Sequence, residues 1–367
     1  MNHTKEKIQK FTNNQITDKY FERAKIGLDG LCNLFGEDWI EKELLVYEYS
    51  DDFEVEKLRG RKLYSGISEV EFLVFIWEDL ELLKTLDGYS ELTRKLKNGS
   101  TFENVDLEIA IASDFIRCGA EVELEPFVGN GEKKADCKFK IHSEENWTFV
   151  EITKKQNSTT QKLIDERGEE LATLSSNINP ERRAVVVALK EINDEEYFEL
   201  CDWLKSKPLE GRFKDVAIFF TVPHNVSETE EVFKYVRPPM SMRSGTISFD
   251  KISFGVCYLH IPDYGAKNKL KDKIFQLPNN EEGIYFIDLS NIAGGFEDWE
   301  KQIDFTSEFE HFSAIILIQT FRFSQGRKRE YKILLNPLSK NKLSESKIQF
   351  INKMCESRAN QRLLDID

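Results

Sequence analysis

Apolar positions recur at helical spacing from Tyr20 to Phe35, where Tyr20, Phe21, Ala24, Ile26, Leu28, Leu31 and Leu34 form one set. A second helical stretch, Glu69 to Leu86, interleaves Leu, Phe, Ile and Trp with acids. The third, Asp106 to Cys118, offers Leu107, Ile109, Ala110, Ile111, Phe115 and Ile116 for burial, and Gly119 supplies its stop. The period then shortens to that of a strand. Glu121 to Glu125 and Lys134 to Ile141 alternate strictly, and Trp147 to Lys154 is rich in β-forming residues. Thr159 to Ile178 reads as helix again. Ala184 to Leu189 is an unbroken apolar run, which predicts a strand buried on both faces. The order is helix, three strands, helix, strand.

Alternation of helix and strand continues to the end of the chain. Helices are predicted at Glu195–Lys205, Lys267–Phe275 and Ser344–Ser357. Strands are predicted at Asp215–Val222, within Thr246–Ile261, and at Gly283–Leu289, Ser313–Phe323 and Lys332–Asn336. Asn98-Gly99-Ser100 is a turn signal. The expected organisation is a helical N-terminal region (1–100), an α/β core (101–190) and a C-terminal α/β extension (191–367). That extension either completes the core's sheet or forms a layer of its own.

Composition narrows the function classes. The chain has 367 residues, 40% hydrophobic and 32% charged, enough for a sizeable core and too apolar for disorder. A net charge of −14 excludes a protein that coats nucleic acid by bulk positive charge, and argues against an anionic membrane surface. Phosphate contacts would then fall to local basic clusters: Lys267, Lys269, Lys271 and Lys273, and Arg327, Lys328 and Arg329. Arg322 between Phe321 and Phe323 reads as a half-buried strand, with an aromatic and basic nucleic-acid surface as the alternative, and Trp77 and Trp203 read as core. No apolar run approaches the length of a membrane span, and Met1 to Asn14 is polar, so a cytoplasmic protein is expected. The six cysteines and five histidines show no metal-ligand spacing. Neither a Gly-x-Ser-x-Gly turn nor a Gly-rich phosphate loop is present.

The remaining candidate chemistry lies in the two strands around His142-Ser-Glu-Glu-Asn146. Paired positions of an antiparallel hairpin sum to a constant. A turn centred between Ser143 and Glu144 sets Asp136 beside Glu151 and Lys134 beside Thr153. Cys137, Phe139, Ile141, Val150 and Ile152 then share the core face. Asp136, Lys134, Lys138, Glu151 and Thr153 share the other. Two adjacent carboxylates repel unless a cation joins them, and an all-oxygen site suits a hard ion such as Mg²⁺ or Mn²⁺. Glu121, Glu123 and Glu125 share one face of the preceding strand. A solvated strand face is the expected reading, with a further metal ligand as the alternative.

This pattern resembles the PD-(D/E)xK, or restriction-endonuclease-like, nuclease superfamily over Asp106 to about Leu189. The resemblance implies a mixed β-sheet flanked by helices and a Mg²⁺-dependent phosphodiester hydrolase, with DNA as the expected substrate. It places the family's helical acid on Glu108, its metal-binding aspartate on Asp136 and its second acid on Glu151, so Glu108, Asp136 and Glu151 become the metal set. Lys162, near the start of the following helix, becomes a nucleic-acid contact. The family's proline before the aspartate is Ala135, and its lysine is Thr153. Three readings follow. An ammonium comes from Lys134, Lys138 or Lys155; or the metal acts without one; or the site is degenerate and the domain binds nucleic acid or a protein partner, a homo-oligomer included.

Overall fold

The computed structural model describes residues 17–39, 69–97, 102–129, 133–154, 159–178, 181–223, 226, 228–232, 234–235, 240–244, 255–260, 276–290, 296–303, 305–306, 309–323, 326–357 and 361–363. In chain order its elements are α1 (Asp18–Phe35), α2 (Glu69–Leu83), α3 (Tyr89–Lys97), α4 (Phe102–Arg117), β1 (Glu121–Leu124), β2 (Cys137–Lys140), β3 (Thr148–Lys154), α5 (Thr159–Ser176), β4 (Arg183–Ala188), α6 (Asp194–Lys205), β5 (Gly211–Phe213), β6 (Ala217–Val222), α7 (Thr229–Val232), β7 (Met240–Ser244), β8 (Gly255–His260), β9 (Glu282–Asp288), α8 (Phe296–Gln302), β10 (Ala314–Phe323), β11 (Gly326–Leu335), α9 (Glu345–Glu356) and β12 (Gln361–Leu363). The chain is a mixed α/β protein with two mixed sheets, divided into two compact units. Among the described residues no helix is long and apolar enough to cross a membrane.

The first unit comprises Met1–Lys154, Lys271–Ser290 and Phe305–Asp367. Its seven-stranded sheet runs β1-β2-β3-β9-β10-β11-β12. β1, β2 and β3 form an antiparallel meander, β9 lies parallel to β3, and β10 lies parallel to β9. β11 and β12 complete the sheet antiparallel. The observed pairs Cys137–Val150, Lys138–Phe149 and Phe139–Thr148 reproduce the register expected for the hairpin. Short local connections and one apolar face leave no alternative register without exposing Cys137 and Phe139.

Helix α4 covers that apolar face. The Phe115 ring stacks on Phe139 at 4.2 Å between centroids and meets Phe286 of β9 edge-on at 6.0 Å. The helix stops where the sequence says it should. Gly119, at φ +93°, donates to Ile116 O at 2.9 Å, and Ala120 donates to Phe115 O at 3.0 Å, closing the last carbonyls. Helices α1 and α2 join the same core, with Tyr20, Leu28 and Leu73 in one cluster with Leu107 and Phe139. Gly30 permits this approach, because a Cβ there would stand inside the Trp77 ring. The boundary expected near residue 100 falls within one unit, and the N-terminal helices are part of the sheet's own unit.

The second unit comprises Lys155–Leu270 and Asn291–Asp304. Its five-stranded sheet runs β5-β6-β4-β8-β7. β4, the unbroken apolar run, is a central strand, antiparallel to β6 and parallel to β8. Asn193 caps α6 through a reciprocal pair with Glu196. Gly255 brings β8 so close to α5 that a Cβ would collide with the Ala172 carbonyl. The helix and strand expected to complete the core of residues 101–190 thus belong to another sheet. In the first unit β9 and β10, from the expected C-terminal extension, take up the position beside β3.

Candidate functional site

Cross-strand pairing between β2 and β3 ends at Cys137–Val150. One residue earlier the chain bends out of β2. There the Asp136 carboxylate, in place of a backbone carbonyl, accepts the Ile152 N–H at 2.6 Å. The Asp136 carbonyl accepts instead from Glu125 N at 3.0 Å. The β2–β3 pairing ends at this point, between the two acids expected side by side.

Glu151 and Thr153 were expected on an open polar face, yet each is only 2% exposed. The reason is topological: β3 is an interior strand, paired with β9 from Thr148 to Lys154 and buried throughout. Glu108 reaches the site from α4 and is 8% exposed. The same helix offers Asn104 Oδ1 to Lys154 N at 3.4 Å, which fixes its N-terminal turn near the end of β3.

Two further residues complete the cluster. Glu125 follows β1 with φ +52°, a left-handed conformation that is costly for a glutamate and more so before a proline. This turn takes it off the strand face that Glu121 and Glu123 occupy, and it is buried. Glu121 and Glu123 instead form ordinary cross-strand pairs with Lys140 and Lys138, each at 2.8 Å. Lys95, from α3, contacts Glu125 and lies 3.6 Å from Glu108 Oε2.

These groups act on one another electrostatically. Burial, and then the carboxylates of Asp136, Glu125 and Glu151, hold the Glu108 carboxyl well above its usual range, with Lys95 opposing. Burial alone would lower the Lys95 ammonium, but Glu108, Glu125 and Asp136 outweigh it and raise that group above an ordinary lysine. Burial, and then the same four acids, push the Cys137 thiol up.

The donor set fits a hard divalent ion in one respect and falls short in another. Glu108 Oε2 is a buried oxygen that accepts no hydrogen bond, with the Lys95 ammonium 3.6 Å away. Yet among the described residues no three His, Cys, Asp or Glu side chains close on a common point at metal-ligand spacing. Mg²⁺ ordinarily takes one or two carboxylates and retains several waters, so a set of three is not required for it.

The other sequence candidates lie elsewhere. The Lys134 ammonium sits over the Phe127 ring at 5.0 Å. Lys138, besides its pair with Glu123, sits 4.8 Å from the Trp147 ring. Lys328 is exposed and paired with Glu330 at 2.7 Å. Arg329 is not a phosphate contact: it is 5% exposed, and its guanidinium bonds Asp114 of α4 at 2.9 Å. A strand-period position facing a helix explains that burial. Lys162 stands in α5 and Arg327 in β11. Lys155, Lys269 and Lys271 lie outside the described residues. The register also sets Arg322, Arg327 and Arg362 in one row across β10, β11 and β12.

Compared with known proteins, the chain matches no family model, no curated protein and no solved structure.

Proposed function

We propose that the first unit is a restriction-endonuclease-like, metal-dependent nuclease that hydrolyses phosphodiester bonds of DNA. The observation that carries this reading is the gathering of Glu108, Glu125, Asp136 and Glu151 where the β2–β3 pairing ends, with the Lys95 ammonium among them. Three of these carboxylates, Glu108, Glu125 and Glu151, are buried, and neighbouring buried acids repel one another. Asp136 and Glu151 would hold Mg²⁺ or Mn²⁺. The Ile152 N–H fixes one oxygen of Asp136. Glu108 would orient a water of the ion's shell. When bound, the ion supplies charge neutralisation at the scissile phosphate and a more acidic water. A setting in restriction or anti-phage defence rests on the resemblance alone.

The test is cleavage of supercoiled and linear DNA with Mg²⁺ or Mn²⁺. Asp136→Ala and Glu151→Ala should each cost about 100-fold or more, with unchanged circular dichroism. Full activity in either variant would sink the reading. The second reading, a nuclease-like sheet that only binds nucleic acid or a protein, is favoured by one observation: buried Thr153 stands where the family places its lysine. It requires DNA binding without metal-dependent cleavage.

A further inference from the structure

The second unit carries a cavity of its own, with a volume of about 80 Å³. Leu171 of α5 and Leu259 of β8 line it and are buried, while Ile164 and Ile192 line it half-buried. Two side chains of opposite charge share that lining: Arg167 of α5, and Glu191 from the loop between β4 and α6. Both are more exposed than the two leucines, so the charges stand toward the mouth and the leucines toward the floor. Arg167 is held in place. Its Nη2 bonds Asp194 at the start of α6, and its guanidinium lies 4.8 Å from the centre of the Tyr197 ring. Tyr197 is itself buried, and its hydroxyl donates to Glu170. The carboxylate paired with Arg167 is thus that of Asp194, which is 80% exposed, and the pair spends one guanidinium nitrogen in contact with water.

We propose that this cavity binds a free aliphatic α-amino acid as its zwitterion, with the side chain on the apolar floor, the carboxylate toward Arg167 and the ammonium toward Glu191. Size and charge select that class together. The volume exceeds that of a water, about 30 Å³, and falls well short of a drug-sized pocket, about 300 Å³ or more. One branched aliphatic side chain suits it; an aromatic one is too large. A simple carboxylate would leave Glu191 without a partner and repelling it, and a simple amine would meet the same obstacle at Arg167. A peptide terminus carries one charge at its α-carbon, whereas a free amino acid carries both. The cavity lies within the second unit and is independent of the metal centre proposed in the first.

The experiment titrates L-leucine into the full chain by calorimetry. Two analogues serve as comparisons: 4-methylpentanoate lacks only the ammonium, and 3-methylbutylamine lacks only the carboxylate. Leucine should bind saturably, about fourfold tighter than valine for its one further buried methylene. Each analogue should bind at least about tenfold more weakly than leucine. Glu191→Gln should erase the advantage of leucine over 4-methylpentanoate, and Arg167→Gln its advantage over 3-methylbutylamine. Ile192→Phe, which narrows the cavity, should abolish binding, with folding of every variant checked by circular dichroism. No leucine bound by the wild-type chain overturns the proposal. So does an analogue that binds as tightly as leucine, or wild-type affinity in Glu191→Gln or in Ile192→Phe. Should Arg167→Gln fail to fold, the analogues on the wild-type chain and the exposed Glu191→Gln still decide.

Discussion

The Ile152 N–H donates to Asp136 Oδ2 at 2.6 Å, one residue beyond the last β2–β3 pair. A single carboxylate thus ends a ladder and borders the candidate metal site. The two duties separate by substitution. Asp136→Asn keeps an oxygen acceptor for the Ile152 amide and should leave stability nearly unchanged while abolishing metal-dependent cleavage. Asp136→Ala strands that amide and should cost about 1–3 kcal/mol in addition. Urea unfolding beside a cleavage assay reads both; equal stability of the two variants would count against the structural duty.

Gly88 governs how closely α3 approaches the end of β1. Gly88→Ala combines a left-handed backbone with a collision against the Leu124 carbonyl. It should destabilise the protein by about 1–3 kcal/mol. It should also weaken Mn²⁺ binding in the folded fraction, because Lys95 and Glu125 shift together. An alanine variant with wild-type unfolding and wild-type Mn²⁺ affinity would refute this account of the turn.

Arg322, Arg327 and Arg362 fall in one row across three strands. If phosphates bind there, replacing any one by Gln should reduce the slope of log affinity against log salt by about 1, equally for all DNA sequences. Fluorescence anisotropy at several salt concentrations, in the Asp136→Asn background to prevent cleavage, measures this; an unchanged slope in all three would remove the row from the interface.

The hairpin was legible because its evidence is local. Strict alternation in Lys134 to Ile141 and a short turn fix the register, and the apolar face follows. The pairs from Cys137–Val150 to Phe139–Thr148 therefore stand as read. Glu125 was legible only as one of three acids on a strand, since its backbone departure into the left-handed region has no period to betray it. Lys95 was not read at all. Its helix is short and polar, with only Leu92 and Leu96 buried, although a lysine three residues after one and just before the other sits at the margin of the apolar stripe. The partner of β3 was misassigned for a different reason. An apolar run such as Ala184 to Leu189 announces an interior strand but not the sheet it enters, and the parallel neighbour β9 is distant in sequence.

That distance carries a consequence for synthesis. β3 leaves the ribosome with β2 already at hand, but its opposite edge stays bare until the stretch from 155 to 281 has also been translated. Contacts so remote form slowly and late. A nascent or prematurely terminated chain ending before Glu282 would carry the acids without the strand that buries Glu151, and should cut nothing until the whole insertion is complete.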